Sequence, residues 1–382
     1  MLVTGLLYAV FTIGYCLPVH AWMGNYGIGS RAIGMGGTFT AVADDYSATF
    51  YNPAGLGQMT RSQAGLEFIY VKPDITVKNL VAGGDLLVMT PDKKVRLDPT
   101  DGVTGDGLDY YAAVIGLAVN VNQVMERYIE LPVNITLGVL MEVPQNLFII
   151  RYFPPDLPHF LSYGDLTNHL SSNISLGVEA IEKLLYVGGG ISLGMASDGA
   201  VNAINTQLNQ GYKWMPFDIG MRVEGNLAPC FGILLTPLEQ KLKLGYSYRR
   251  NNQIDVDPLA IVASINTPDP IDMPFVSQIY TNYTPDTHTL GISYQFDSLL
   301  LACDVVFKKW SDFDYNDTEK AVYSEANRTR YGMVGIIPDG PEFDDTIDIH
   351  VGGEYRWDDQ IRLTAGFEYR RSPVPDQSGK IT

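Results

Sequence analysis

Residues 241–249 read Lys-Leu-Lys-Leu-Gly-Tyr-Ser-Tyr-Arg. In a β-strand, successive side chains point to opposite faces. Leu242, Leu244, Tyr246 and Tyr248 therefore share one face, and Lys241, Lys243, Gly245, Ser247 and Arg249 share the other. The pattern recurs downstream. His288, Leu290, Ile292, Tyr294 and Phe296 alternate with Thr287, Thr289, Gly291, Ser293 and Gln295. Ile349, Val351, Tyr355 and Trp357 alternate with Asp348, His350, Gly352, Glu354 and Arg356, and Leu363, Phe367 and Tyr369 with Arg362, Thr364, Glu368 and Arg370. The segments 133–143 and 173–180 repeat it. Counted this way, the chain holds about eleven strands, near 61–72, 109–121, 131–144, 171–181, 185–197, 220–235, 241–254, 286–296, 299–311, 346–357 and 360–371.

Two architectures accept such strands. A soluble β-sandwich hides the apolar faces in a dry core. A transmembrane barrel turns them to lipid and keeps the polar faces around a lumen. Glu, Arg and Lys at strand centres speak for the barrel, and so do the connections. Long joins (72–108, 145–170, 198–219, 255–285, 312–345) take turns with tight ones at Glu182-Lys183, Leu238-Glu239, Asp297-Ser298 and Asp358-Asp359. Short periplasmic turns and long outer loops are the rule in outer-membrane barrels. Hydrocarbon leaves no partner for a free N–H or C=O, which forces strands to close into a ring. On this reading, arginine in place of outward Leu244 or Ile292 costs roughly 2–4 kcal/mol at mid-membrane, and much less at inward Ser247.

Composition agrees. The 382 residues include 38 Gly and 23 Tyr, and 46% are hydrophobic. Mean hydropathy is only +0.02, as expected when half of each strand faces a polar interior. A net charge of −17 argues against a nucleic-acid partner, which selects for basic patches. Residues 1–21 read as a signal peptide: an uncharged apolar run from Leu2 to Leu17, then Val19-His20-Ala21 as a small-x-small cleavage site. The run is short of the about 20 residues of a membrane helix. Cys16 follows Tyr15, which argues against a lipoprotein anchor. Cys230 and Cys303 remain after cleavage. Cys303 lies in phase with outward Leu301, Val305 and Phe307, Cys230 with inward positions, so two free thiols are expected.

After the signal, residues 26–56 read YGIGSRAIGMGGTFTAVADDYSATFYNPAGL. The runs Gly29-Ser30-Arg31-Ala32, Gly34-Met35-Gly36-Gly37, Ala43-Asp44-Asp45 and Asn52-Pro53-Ala54 resemble the N-terminal hatch of FadL-type outer-membrane transporters. Trp310-Ser311-Asp312-Phe313 and Ser372-Pro373-Val374-Pro375 resemble that family more weakly. The resemblance implies an all-β transmembrane antiparallel β-barrel of about fourteen strands with residues 22–60 folded inside as a plug. It implies passive uptake of long-chain fatty acids or other hydrophobic molecules, with no cofactor, no metal and no enzymatic step. Partners would be outer-membrane lipids, a hydrophobic ligand and the barrel-assembly machinery, and the protein would be a monomer in the bacterial outer membrane. Gly34, Gly36, Gly37, Asn52, Pro53, Ala54 and Gly55 are the expected gating residues. Glycine permits φ > 0 and close backbone approach, and proline fixes φ.

Two expected outer loops are oddly apolar. One carries Phe148, Ile149, Phe153, Phe160 and Leu161, the other Leu259, Ile261, Val262, Met273 and Phe275. Exposed apolar patches mark interaction sites, and the resemblance makes these the first contacts for substrate. The plainer alternative is loop–loop packing. Inward Lys241, Lys243, Arg249, Arg356 and Arg362 either pair a carboxylate head group or pair with lumen carboxylates. Gly138, Gly177, Gly245, Gly291, Gly352 and Gly366 either leave room for the plug or relieve strain in a coiled sheet. Asp98, Asp101, Asp106 and Asp109 offer oxygen ligands without EF-hand spacing, so a solvated acidic loop is expected. Gly27-x-Gly29 lacks the strand–turn–helix setting of a phosphate loop. His288 lacks a serine beside it for hydrolysis. Remaining alternatives are a secretion or assembly role, an aromatic-hydrocarbon channel and an open porin. The eleventh strand should run outward before the sequence stops at Thr382, which predicts a C-terminally truncated barrel lacking roughly three strands, since single-chain barrels have an even count.

Overall fold

A computed structural model of the chain describes residues 27–71, 76–77, 86–90, 93–97, 103–104, 110–129, 131–144, 170–201, 219–254, 259–265, 271–277, 282–313, 343–358 and 360–373. In chain order the strands are β1 (Gln63–Val71), β2 (Thr76–Val77), β3 (Leu86–Thr90), β4 (Lys93–Leu97), β5 (Val103–Thr104), β6 (Tyr110–Asn120), β7 (Ile135–Pro144), β8 (Leu170–Ile181), β9 (Leu185–Val201) and β10 (Ile219–Leu235). They continue as β11 (Leu242–Arg249), β12 (Asn252–Ile254), β13 (Leu259–Ile265), β14 (Ile271–Ser277), β15 (Asn282–Thr284), β16 (Asp286–Gln295), β17 (Leu299–Lys309), β18 (Thr346–Arg356) and β19 (Arg362–Tyr369).

Eleven of these form one antiparallel sheet in the order β1-β6-β7-β8-β9-β10-β11-β16-β17-β18-β19. They coincide with the expected strands to within a few residues. Every neighbour in that order is the next strand of the sheet in sequence, which is an up-and-down meander. The tight turns hold as well. Lys183, Leu238, Glu239 and Gln240 take positive φ there without being glycine. The joins differ from expectation. The stretch 72–108 contains β2 paired with β5 and β3 with β4, and 255–285 contains β13 paired with β14. The turn at 122–130 begins with a short helix, Val121–Met125, with Asn120 Oδ1 accepting the Gln123 N–H. β12 and β15 extend the β11–β16 pair as a separate two-stranded ladder.

The faces are partitioned as in a membrane barrel. Leu66, Phe68, Leu290, Ile292, Ile349 and Val351 stand exposed on the outside. Asn173, Ser175, Ser293, Asp304, Asp348 and Glu354 are buried on the inside. A soluble sandwich would reverse this, because apolar area gains by leaving water. No described helix is long and apolar enough to cross a membrane. The eleven strands thus form one antiparallel sheet with β1 and β19 at its ends, an apolar outer face and a polar inner face, the partition of a transmembrane β-barrel. Cys230 is buried inside, Cys303 is half-buried in phase with the outer face, and both are free thiols.

The interior is filled. Residues 27–60 lie against the inner face, and contacts reach all eleven strands of the sheet. Ser247 is buried as well, so the room that the sequence reading assigned to an arginine there is absent.

Candidate functional site

Residues 27–60 fold by local rules. Ser30–Gly34 is one helical turn and a half. Gly36 and Gly37 follow with φ of +67° and +73°, the left-handed region that glycine enters freely. Asp45 Oδ1 accepts the N–H (2.8 Å) and hydroxyl (2.6 Å) of Ser47, starting the short helix Ala48–Tyr51. Asn52 then closes the turn. Its Oδ1 accepts the Ala54 N–H at 3.1 Å, and Pro53 opens the 3-10 helix Pro53–Gln58. Its Nδ2 donates to the Thr40 carbonyl at 2.8 Å and the Ile233 carbonyl of β10 at 3.3 Å. One buried side chain thus caps a helix, ties the segment to itself and ties it to the wall.

The inward glycines serve this segment. A Cβ on Gly177 would stand 2.6 Å from Gly57 N, Leu56 Cβ and Pro53 O. One on Gly245 would stand 2.5 Å from Thr40 O, and one on Gly291 3.0 Å from Ala41 N. Gly138 faces Thr49 and Leu56, and Gly352 and Gly366 both face Met35. Gly65 and Gly116 hold the ring of Tyr46, while Gly188 and Gly232 admit Pro53 and Asn52. Those last four escaped the sequence reading. Of the expected gating residues, Asn52, Pro53, Ala54 and Gly55 form the 3-10 turn against β8–β10. Gly34 lies against Thr364, and Gly36 and Gly37 against β18 and β19.

Charge completes the seating. Arg31 donates from Nε to Glu354 Oε2 at 2.5 Å and from Nη1 to Asp44, with Asp45 at 3.8 Å. Burial works to lower the Arg31 pKa, but Asp44 and Glu354 outweigh it and hold the guanidinium charged. Burial pushes Asp45 above the ordinary carboxylate range, against the opposing bonds from Ser47. Tyr46 donates to Glu67 of β1. Asp304 of β17 accepts the backbone N–H of Phe39 (3.0 Å) and Thr40 (2.9 Å). Sequence reasoning saw Glu354 as inward but passed over Asp304, Glu67 and the Arg31 partners.

The inward cations proposed for a head group are engaged or exposed. Lys243 donates to Gln58 Oε1 at 2.6 Å. Arg249 donates to Asn173 Oδ1 at 2.9 Å and to the Phe50 carbonyl, its guanidinium 4.3 Å from the centre of the Phe50 ring. Arg362 sits 3.7 Å from Glu354. Lys241 and Arg356 are exposed. Leu259, Ile261 and Val262 lie on β13 and Met273 and Phe275 on β14, with Ile261 opposite Phe275. Their stretch is a hairpin where a plain loop was expected. Phe148, Ile149, Phe153, Phe160 and Leu161 lie outside the described residues, as do the signal peptide and Asp98, Asp101, Asp106 and Asp109.

Comparison with known proteins fits this geometry. Residues 226–382 match the family model described as outer membrane protein transport protein (OMPP1/FadL/TodX). The chain is 20% identical over 378 residues to alkane uptake protein A of Marinobacter nauticus, covering 96% of this chain and 77% of that protein. It is similar to the crystal structure of a Pseudomonas aeruginosa FadL homologue (15% identity, 90% of this chain and 79% of that chain, TM-score 0.45). It is also similar to the toluene transporter TodX of P. putida (13% identity, 91% and 84%, TM-score 0.44). Over residues 226–382 the chain is thus similar to the OMPP1/FadL/TodX family of outer membrane transport proteins.

Proposed function

We propose that residues 22–60 are a hatch and that the protein carries long-chain hydrophobic molecules inward, down their own gradient, when the hatch shifts. One observation carries the reading: residues 27–60 pack against all eleven strands, so anything crossing the interior must displace them. The driving force is transfer of the alkyl chain from water into apolar surroundings, about 0.8 kcal/mol per CH₂. The name of the alkane uptake relative favours hydrocarbons beside fatty acids as substrates. Phe148, Ile149, Phe153, Phe160 and Leu161, together with the β13–β14 hairpin residues Leu259, Ile261, Val262, Met273 and Phe275, would make first contact. Gly34, Gly36, Gly37 and the Asn52–Gly55 turn would govern hatch movement. The protein would act as a monomer after insertion by the barrel-assembly machinery. The test is uptake of radiolabelled hexadecane and oleate by cells with and without the gene, beside sugar-driven liposome swelling. Uptake that depends on the gene, without swelling, is expected. Swelling with sugars, or uptake unaffected by deletion, contradicts the proposal.

A further inference from the structure

Where residues 37–40 meet β17 and β18, buried polar atoms gather without partners. Asp304 spends only Oδ2 on the Phe39 and Thr40 amides, and its Oδ1 has no partner. His350 is the register partner of Asp304. It is 7% exposed, with neither ring nitrogen hydrogen-bonded. Gly37 lies against that ring, since a Cβ there would be 3.0 Å from Nδ1. Thr38, between the two contacts, is fully buried with its hydroxyl unpartnered, and so is the Thr346 hydroxyl on the same face of β18. Buried polar groups are nearly always satisfied, and leaving them bare is costly. Thr38, Asp304 and His350 together offer unspent donors and acceptors to a polar guest, and Thr346 offers another hydroxyl four residues along β18.

Charge decides the class of guest. Asp304, Asp348 and Glu368 bring three carboxylates to this stretch of wall. Lys308 donates to Asp348 at 2.6 Å and Arg370 to Glu368 at 2.7 Å. Even a protonated His350 would bring this group only to neutrality. Elsewhere on the described inner face, Arg31, Lys243 and Arg249 are held by the hatch segment or its wall. A carboxylate head group would therefore enter beside Asp304 where the cations of this stretch, Lys308 and Arg370, already pair carboxylates, a charge burial that water does not refund. A hydroxyl suits the same atoms. It donates to Asp304 Oδ1 and accepts from the imidazole or from Thr38. Just beyond the ends of β17 and β18, Tyr283, Trp310, Phe313 and Phe343 form a buried aromatic cluster, apolar surroundings for an alkyl tail.

Resting on the uptake reading above, we propose that this cluster binds the hydroxyl of a long-chain primary alcohol, and that the protein prefers uncharged substrates to fatty-acid anions. The test measures equilibrium binding of labelled 1-hexadecanol, hexadecane and palmitate to the purified full-length protein in vesicles at pH 7.5. The alcohol should bind about tenfold more tightly than either, ~1.4 kcal/mol. Thr38→Val combined with His350→Leu should reduce alcohol affinity to that of hexadecane. Palmitate bound as tightly as the alcohol by the wild type, or alcohol bound no better than hexadecane, overturns the proposal without touching the uptake reading. Failure to bind any of the three overturns the uptake reading itself. The wild-type ratios decide the matter even where the double variant does not fold.

Discussion

Gly177→Ala is the sharpest probe of the seam between residues 27–60 and the wall. The added methyl would stand 2.6 Å from Gly57 N, Leu56 Cβ and Pro53 O, well inside van der Waals contact. Two of those atoms are backbone, and their turn is fixed by Asn52 to Thr40 and to β10. Relief needs a shift of the whole turn. Overpacking of this kind costs about 1–3 kcal/mol. Gly189 on β9 is the control. It faces outward, and the nearest atom to a Cβ there is Cys230 O at 3.5 Å. Alanine at that position should stabilise by about 0.4–1 kcal/mol, through a less flexible unfolded chain. The two variants should thus differ by about 1.4–4 kcal/mol. Guanidinium titration in vesicles, followed by tryptophan fluorescence, measures the difference. Trypsin supplies a second readout, since Arg31 is the only Lys or Arg within residues 27–60, and release of the segment exposes it. Equal midpoints with Arg31 uncut in both variants would refute the reasoning.

Other perturbations address the outer face and the ion pairs. Ile292→Arg should cost roughly 2–4 kcal/mol in the same titration, because the side chain stands on the lipid face; a neutral result would misplace that face. Arg31→Met should cost about 3 kcal/mol by stranding the buried Glu354 carboxylate, and adding Glu354→Gln should recover part of it. A double-mutant cycle with no coupling would remove the pair from the account. Asp45→Asn keeps the acceptor for Ser47 and removes a charge whose pKa burial has raised. The raised pKa means the charged form opposes folding. The variant should therefore gain stability at pH 7 and lose that advantage as pH falls through the raised pKa toward about 4. A gain independent of pH would contradict the assignment.

The strands were legible because alternation survives wherever one face meets lipid and the other the filled interior. Lys241–Arg249 and Thr287–Gln295 carry that pattern unbroken. The hairpin of β13 and β14 was not legible. Leu259–Ile265 is apolar but for Ser264, and Ile271–Ser277 holds Pro274 inside a ladder, which ordinarily argues against a strand. Inward glycines were visible as a row, but one sequence cannot name the atoms they leave room for. Asp304 was invisible for a related reason. Its partners, the amides of Phe39 and Thr40, lie 265 and 264 residues away, and nothing local separates it from other inward carboxylates. Asn52-Pro53 announced a turn; that Asn52 also holds β10 follows only from the curl of the sheet.

The central claim, that residues 27–60 sit inside the barrel, can be read from one cross-link. A Cβ on Gly34 would lie 3.2 Å from Thr364 Cβ on β19, close to disulfide spacing, while Leu363 points to the opposite face. In a chain with its native cysteines replaced, Gly34→Cys with Thr364→Cys should oxidise to a disulfide in vesicles, and Gly34→Cys with Leu363→Cys should not. No bond to position 364, or equal bonding to both positions, would place the segment outside the barrel and contradict the account.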